Sequence, residues 1–82
     1  VIEGFDEPVD VITVFEKGAM RPIRFRWKGH VYRIKWVVGK WREFETNTPT
    51  RHFSVVDAHD NTYELVYDER RTRWVVERLR VG

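Results

Sequence analysis

The chain has 82 residues, 34% of them charged and 15% aromatic, no cysteine, and a formal net charge of +2. That length predicts one domain near the lower limit of what folds on a single core, and the missing cysteine excludes disulfide scaffolds and thiolate metal sites. No apolar run approaches the ~20 residues of a helical membrane span, and no signal-peptide pattern opens the sequence, which predicts a cytoplasmic protein without a membrane partner.

The near-neutral total hides four charge blocks. Residues 1–16 carry five acids and no base; residues 17–42 carry nine bases and no acid. Residues 43–69 then carry seven acids against Arg51, and residues 70–82 five arginines against Glu77. Blocks this clean either meet each other across a sheet or present one-signed patches outward.

Residues 1–8 read as an exposed arm, interrupted by Gly4 and Pro8 and solvated by three acids; residues 9–82 read as a single β domain. Val9–Glu16 is β-branched and apolar on both faces, as in a strand curled inside a small barrel. Lys17–Pro22 reads as a connection, with Gly18 for the turn and Pro22 lacking an N–H.

The organising stretch is Arg24–Arg42. Ile23, Phe25 and Trp27 alternate with arginines, and after Lys28-Gly29 the residues Tyr32, Ile34 and Trp36 alternate with Arg33 and Lys35. A two-residue turn at Lys28-Gly29 pairs Trp27 with His30, Phe25 with Tyr32 and Ile23 with Ile34, so every ring falls on one face; a slip of one residue would mix the faces. The same register sets Arg24 opposite Arg33, with Arg26 and Lys35 close by. Like charges directly opposed cost roughly 0.2–1 kcal/mol, which a carboxylate from a neighbouring strand or a phosphate would offset. The strand runs to about Val38 and bends at Gly39; Lys40–Glu45 is a short strand or a single helical turn, and Thr46–Thr50 a loop.

Arg51–Ala58 and Thr62–Asp68 form a second hairpin around His59-Asp60-Asn61, pairing Phe53 with Tyr67, Val55 with Leu65 and Asp57 with Tyr63. A turn at Glu69–Thr72 leads into Arg73–Val81, where Trp74 and Val76 match Tyr67 and Leu65, and Asp68 meets Arg73. The prediction is all-β: a small β-barrel or rolled antiparallel sheet of about six short strands, with Phe25, Trp27, Tyr32, Phe53, Leu65 and Trp74 in the core.

No catalytic motif occurs. His30, His52 and His59 lack metal-ligand spacing, and the carboxylates of Glu43, Glu45, Asp57 and Glu64 read as solvated strand faces. The expectation is a non-enzyme with no metal and no cofactor. What remains is the basic hairpin: Arg24, Arg26, Lys28, Arg33 and Lys35, with Lys40 and Arg42 flanking Trp41. A ring between cations is how single-stranded nucleic acid is stacked and its phosphates held; the other reading of Trp41 is a plug at the barrel end.

Three stretches, RFRWKGHVYRIKWVVGKWRE, RHFSVVDAHDNTYELVYDE and RWVVERL, resemble a family of small bacterial domains of unknown function. The likeness spans about residues 20–80 and rests on spaced aromatics. It runs through Phe25, Trp27, Gly29, Tyr32 and Ile34, then Trp41-Arg42-Glu43, Tyr63 to Asp68, and Trp74 to Arg78; Ile34 stands where the pattern has valine. Such domains are free-standing or form C-terminal tails on relatives of error-prone translesion DNA polymerases, so the resemblance implies a DNA-repair neighbourhood. The functional expectation is a nucleic-acid-binding module touching the DNA or RNA phosphate backbone. The alternative is a protein–protein interaction module, an adaptor to a repair polymerase or other DNA-repair protein, recruiting its partner by strand addition.

Overall fold

The computed structural model describes residues 2–45 and 47–81, with the side chains of all but Ile2, Glu3, Phe5 and Glu45. Six antiparallel strands follow in chain order: β1 Ile2–Glu16, β2 Ala19–Trp27, β3 His30–Glu45, β4 Thr48–Asp57, β5 Thr62–Asp68 and β6 Arg73–Arg80. Each pairs with the next, and β6 returns to β1, closing the barrel. The described residues contain no helix, and hence none long and apolar enough to cross a membrane.

The first two turns share one chemistry. Lys17 and Gly18 have φ of 52° and 76°, Lys28 and Gly29 of 52° and 78°. Positive φ at both central residues is the type I′ turn, whose twist matches that of the strands it joins. Glycine takes its position without steric cost, whereas the lysine is held there by the hairpin.

The predicted connection at Lys17–Pro22 is therefore mostly strand: Ala19, Met20, Arg21 and Pro22 pair with Glu16, Phe15, Val14 and Thr13. The arm at residues 1–8 is also strand in its backbone, with Ile2, Glu3 and Gly4 paired to Arg80, Leu79 and Arg78 and Pro8 paired to Val75. Proline misled both readings, because each proline lies where its strand has a single ladder neighbour. Pro8 precedes the pairing with β2, Pro22 precedes that with β3, and Pro49 precedes that with β5. A missing N–H is tolerated on such an edge.

The β2–β3 register is the predicted one, Trp27 with His30, Phe25 with Tyr32 and Arg24 with Arg33. The ladder ends there, one pair short of Ile23–Ile34. Strand β3 then swings to β4 through irregularities at Ile34/Trp36 and Val37/Gly39. It stays extended to Glu45, so residues 40–45 form strand rather than a helical turn. The loop predicted at Thr46–Thr50 shrinks to a turn at Asn47, φ 61°, with β4 starting at Thr48; Thr46 lies outside the described residues.

The second hairpin keeps its predicted faces but shifts by two residues. Phe53 pairs with Leu65 and Val55 with Tyr63, and Asp60 rather than Asn61 takes the left-handed position, φ 63°. Asp57 sets this register. Its buried carboxylate accepts the N–H groups of His59 (2.8 Å) and Asn61 (3.0 Å) and the hydroxyl of Tyr63 (2.7 Å). The last hairpin follows the prediction: Leu65 with Val76, Tyr67 with Trp74, Asp68 with Arg73.

Inside, Val9, Met20, Phe25, Trp27, Phe53, Val55, Tyr63, Leu65, Trp74 and Val76 form one core, with Tyr32 half-buried against it. Phe25 stacks on Tyr32 at 5.1 Å and meets Tyr63 edge-on at 4.9 Å, geometries that aromatic quadrupoles favour.

Candidate nucleic-acid interface

Alternation along β1, β2 and β3 turns every second residue outward, and two cross-strand rows result. Ile12, Arg24 and Arg33 form one; Asp10, Arg26 and Val31 form the next. Between them lies a shallow cleft of about 340 Å³, lined by both rows together with Val11 and Phe25, Arg33 excepted. Ile12 is 54% exposed and Val31 61%, so guanidinium groups and unburied aliphatic surface share this face.

All eight sequence-predicted residues are exposed, but their surroundings differ. Arg26 pairs with Asp10 at 2.7 Å, Lys28 with Glu7 at 3.9 Å and Lys35 with Asp60 at 3.8 Å. Arg42 makes two bonds to Glu69, 2.8 and 3.0 Å. That contact, joined by Arg51 against the cost of burial, holds the Glu69 carboxyl below its ordinary range. Arg24, Arg33 and Lys40 have no carboxylate partner among the described residues. The acidic blocks thus neutralise part of the basic hairpin and leave its directly opposed arginines uncompensated.

Lys40 and Arg42 do not share a face with Trp41. They lie opposite Phe53 and Arg51, whereas Trp41 lies opposite His52. Trp41 stacks on the His52 ring (5.2 Å, 17°) and donates Nε1–H to Glu43 at 2.7 Å, so it is neither a plug in the barrel nor a ring between cations. The ring on the basic side is Trp36, which simple alternation assigns to the core. The irregularity between Ile34 and Trp36 turns it outward; it is 58% exposed, with Lys35 Nζ 5.8 Å from its centre.

Across the barrel the outward chemistry reverses. His52 is buried, with Nδ1 3.3 Å from Glu64 Oε1 and Nε2 2.9 Å from Thr50 Oγ1 and 3.3 Å from Glu43 Oε2. Glu77 on β6 joins them, and one donor atom each from His52, Glu64 and Glu77 lie within 4.8 Å of one another. Burial, reinforced by the Glu64, Asp6 and Glu43 carboxylates and opposed by His52, raises the Glu77 carboxyl above its ordinary value. No sequence motif announced this group, because its members come one each from separate strands.

Among protein-family models, curated proteins and solved structures, none matches the chain.

Proposed function

We propose that the outward face of β1–β2–β3 is a non-catalytic binding surface for the phosphate backbone of single-stranded nucleic acid, DNA or RNA. One observation carries this reading: Arg24 and Arg33 sit directly opposite each other, exposed, with no carboxylate partner among the described residues. A bridging phosphate relieves that repulsion and takes charge-assisted hydrogen bonds from both guanidiniums. Arg26 and Lys35 can exchange their exposed carboxylates for phosphate at little cost, since such pairs contribute about 0–1 kcal/mol. Trp36, Ile12 and Val31 supply apolar surface for bases. Lys28 and Lys40 extend the charge at the margins, while Arg42 and Trp41 are engaged elsewhere. A cytoplasmic, DNA-repair setting in a bacterium is part of the proposal through the family resemblance.

The test is a titration with single- and double-stranded oligonucleotides at two salt concentrations. Binding weakens with salt, with a log–log slope of about −0.7 per phosphate contact on single strands. Unchanged β2–β3 amide shifts with millimolar oligonucleotide at low salt would remove the proposal.

A second reading has its own support. Ala19–Pro22 and Val37–Lys40 have no mutual ladder, and a cleft of about 590 Å³ opens between them over Met20, Pro22 and Phe53. Lys17 and Lys40 line its edge without carboxylate partners among the described residues. An extended acidic segment of a protein partner would add there as a strand. Acidic peptides binding in this mode shift the amides of residues 19–21 and 37–40 lining the cleft and leave those of Arg24 and Arg33 unmoved; oligonucleotides do the reverse.

A further inference from the structure

We propose that His52, Glu64 and Glu77 form a binding site for a divalent transition-metal ion such as Zn²⁺. The site is separate from the basic face and does not depend on the nucleic-acid reading. The three side chains come from the adjacent strands β4, β5 and β6, and their donor atoms converge within 4.8 Å. The 3.3 Å between His52 Nδ1 and Glu64 Oε1 is also the edge of a tetrahedron with metal–ligand bonds of about 2.0 Å. One imidazole and two carboxylates are the donor set that borderline ions such as zinc accept. An open cleft of about 370 Å³, lined by these residues with Glu43, Thr50 and Arg78, gives access and leaves room for a fourth, solvent ligand.

One tautomer of the His52 ring leaves a nitrogen lone pair available to a cation. His52 is over nine-tenths buried, and each ring nitrogen has a carboxylate oxygen 3.3 Å away. In the Nε2–H tautomer the Glu64 oxygen faces the Nδ1 lone pair, an arrangement that repels unless something positive lies between; in the Nδ1–H tautomer Nε2 accepts the Thr50 hydroxyl at 2.9 Å. With Nε2–H directed to Thr50 and Glu43, the Nδ1 lone pair is left toward Glu64. Glu43 is itself fixed by the Trp41 Nε1–H at 2.7 Å. A metal-ligating histidine is oriented in the same way, its second nitrogen donating to a carboxylate held in place. A proton on Nδ1 satisfies Glu64 alone; Glu77 has no hydrogen bond or ion pair among the described residues. A divalent ion takes both carboxylates at once.

The test uses the whole chain, stripped with a chelator and titrated with Zn²⁺ alone at constant pH. The readouts are the ring ¹⁵N resonances of His52 and the fluorescence of Trp41 stacked on it. Zinc shifts the Nδ1 resonance and the fluorescence together, and Co²⁺ gives the visible absorption of a low-coordinate site. Glu77→Gln and Glu64→Gln each weaken binding by about tenfold or more, while Asp10→Asn on the other face leaves it unchanged. Three results overturn the proposal: no shift with millimolar Zn²⁺, a shift that both Gln variants leave intact, or a Nδ1 resonance that responds to pH and not to zinc. The wild-type ring resonance decides the matter even if a variant does not fold.

Discussion

The outward faces of β1–β2–β3 and of β4–β5–β6 stand on one core and carry opposite chemistry. On the first, arginines occupy directly opposed positions and exposed aliphatic and indole surface lies beside them. On the second, carboxylates gather around a buried imidazole, Glu43 and Glu64 tied by hydrogen bonds. Strand β3 belongs to both, contributing Arg33, Lys35 and Trp36 to one face and Trp41 and Glu43 to the other, with the irregularity at Val37/Gly39 between them. A net charge of +2 therefore says little about partners in a small barrel. Alternation spends half the residues on the interior, and the remaining half can be divided by sign around the circumference.

Both faces depend on the same interior. Phe25, fully buried beneath the basic face and touching Tyr32 and Tyr63, tests it most severely. Phe25→Ala should lower the unfolding free energy by about 3–5 kcal/mol, read by urea denaturation, and loosen the His52 cluster along with the basic face. Loss of one face's NMR dispersion while the other persists would show two separable halves.

Asp57 joins the two sides at the β4–β5 loop, and Asp57→Ala should cost about 2–4 kcal/mol, because it strands several donors around a buried position. Burial pushes this carboxyl up, but hydrogen bonds from Tyr63, Asn61 and His59 outweigh it and hold the group below its ordinary value of 3.8. A lowered folded value means stability that is present above the unfolded value and lost as pH falls through the folded one. Glu77 runs the other way: its raised folded value makes the fold gain stability as pH falls through it toward 4.5. Removing Asp57 should therefore flatten the acid-side loss in a pH series and keep the Glu77 contribution.

Much of this was legible in the sequence. Alternation of Phe25, Trp27 and Tyr32 with arginines specified the β2–β3 hairpin, its register and the Arg24–Arg33 opposition, because a slip of one residue would have buried charge. The same rule is blind to a slip of two, which preserves faces; in the β4–β5 hairpin the register depends on the Asp57 carboxylate holding the loop. Nor does alternation mark an irregularity in a ladder, so it runs Trp36 on with Tyr32 and Ile34, and chain adjacency alone sets Lys40 and Arg42 beside Trp41 although they point the other way. The His52 cluster joins strands distant in sequence, where only pairing and register bring Glu43, Glu64 and Glu77 together.

Trp36→Ala and Trp41→Ala separate the faces by ligand. Stacking on an aromatic contributes ~1–3 kcal/mol per base, so Trp36→Ala should weaken single-stranded binding by that amount and affect duplex less. Trp41→Ala should leave both unchanged and disturb the His52 resonances. The opposite assignment would move the nucleic-acid surface to the β3–β4 end. Arg24→Ala with Arg33→Ala should flatten the salt slope by about 1.4, two contacts' worth. The fold should stay intact or gain roughly 0.2–1 kcal/mol from the relieved like-charge pair; unfolding of the double variant would mean these arginines hold the barrel together.

The smallest effect is the most discriminating, because it concerns a group that now restrains the basic face. Asp10 pairs with Arg26 at 2.7 Å, and both side chains are largely exposed, 75% and 63%. An ion pair so open to water contributes about 0–1 kcal/mol, so Asp10→Asn should barely alter the melting temperature. It does free Arg26, on the row next to Arg24 and Arg33. If phosphate is the natural counterion of this face, the variant should bind single strands more tightly at low salt, with a slope steeper by about 0.7. If the face serves instead to meet the protein's own acidic residues, removing one carboxylate should leave oligonucleotide binding where it was. An Asp68→Asn control, at the far end of β5 against Arg73, should change neither the slope nor the affinity, because no residue of the basic face pairs with it.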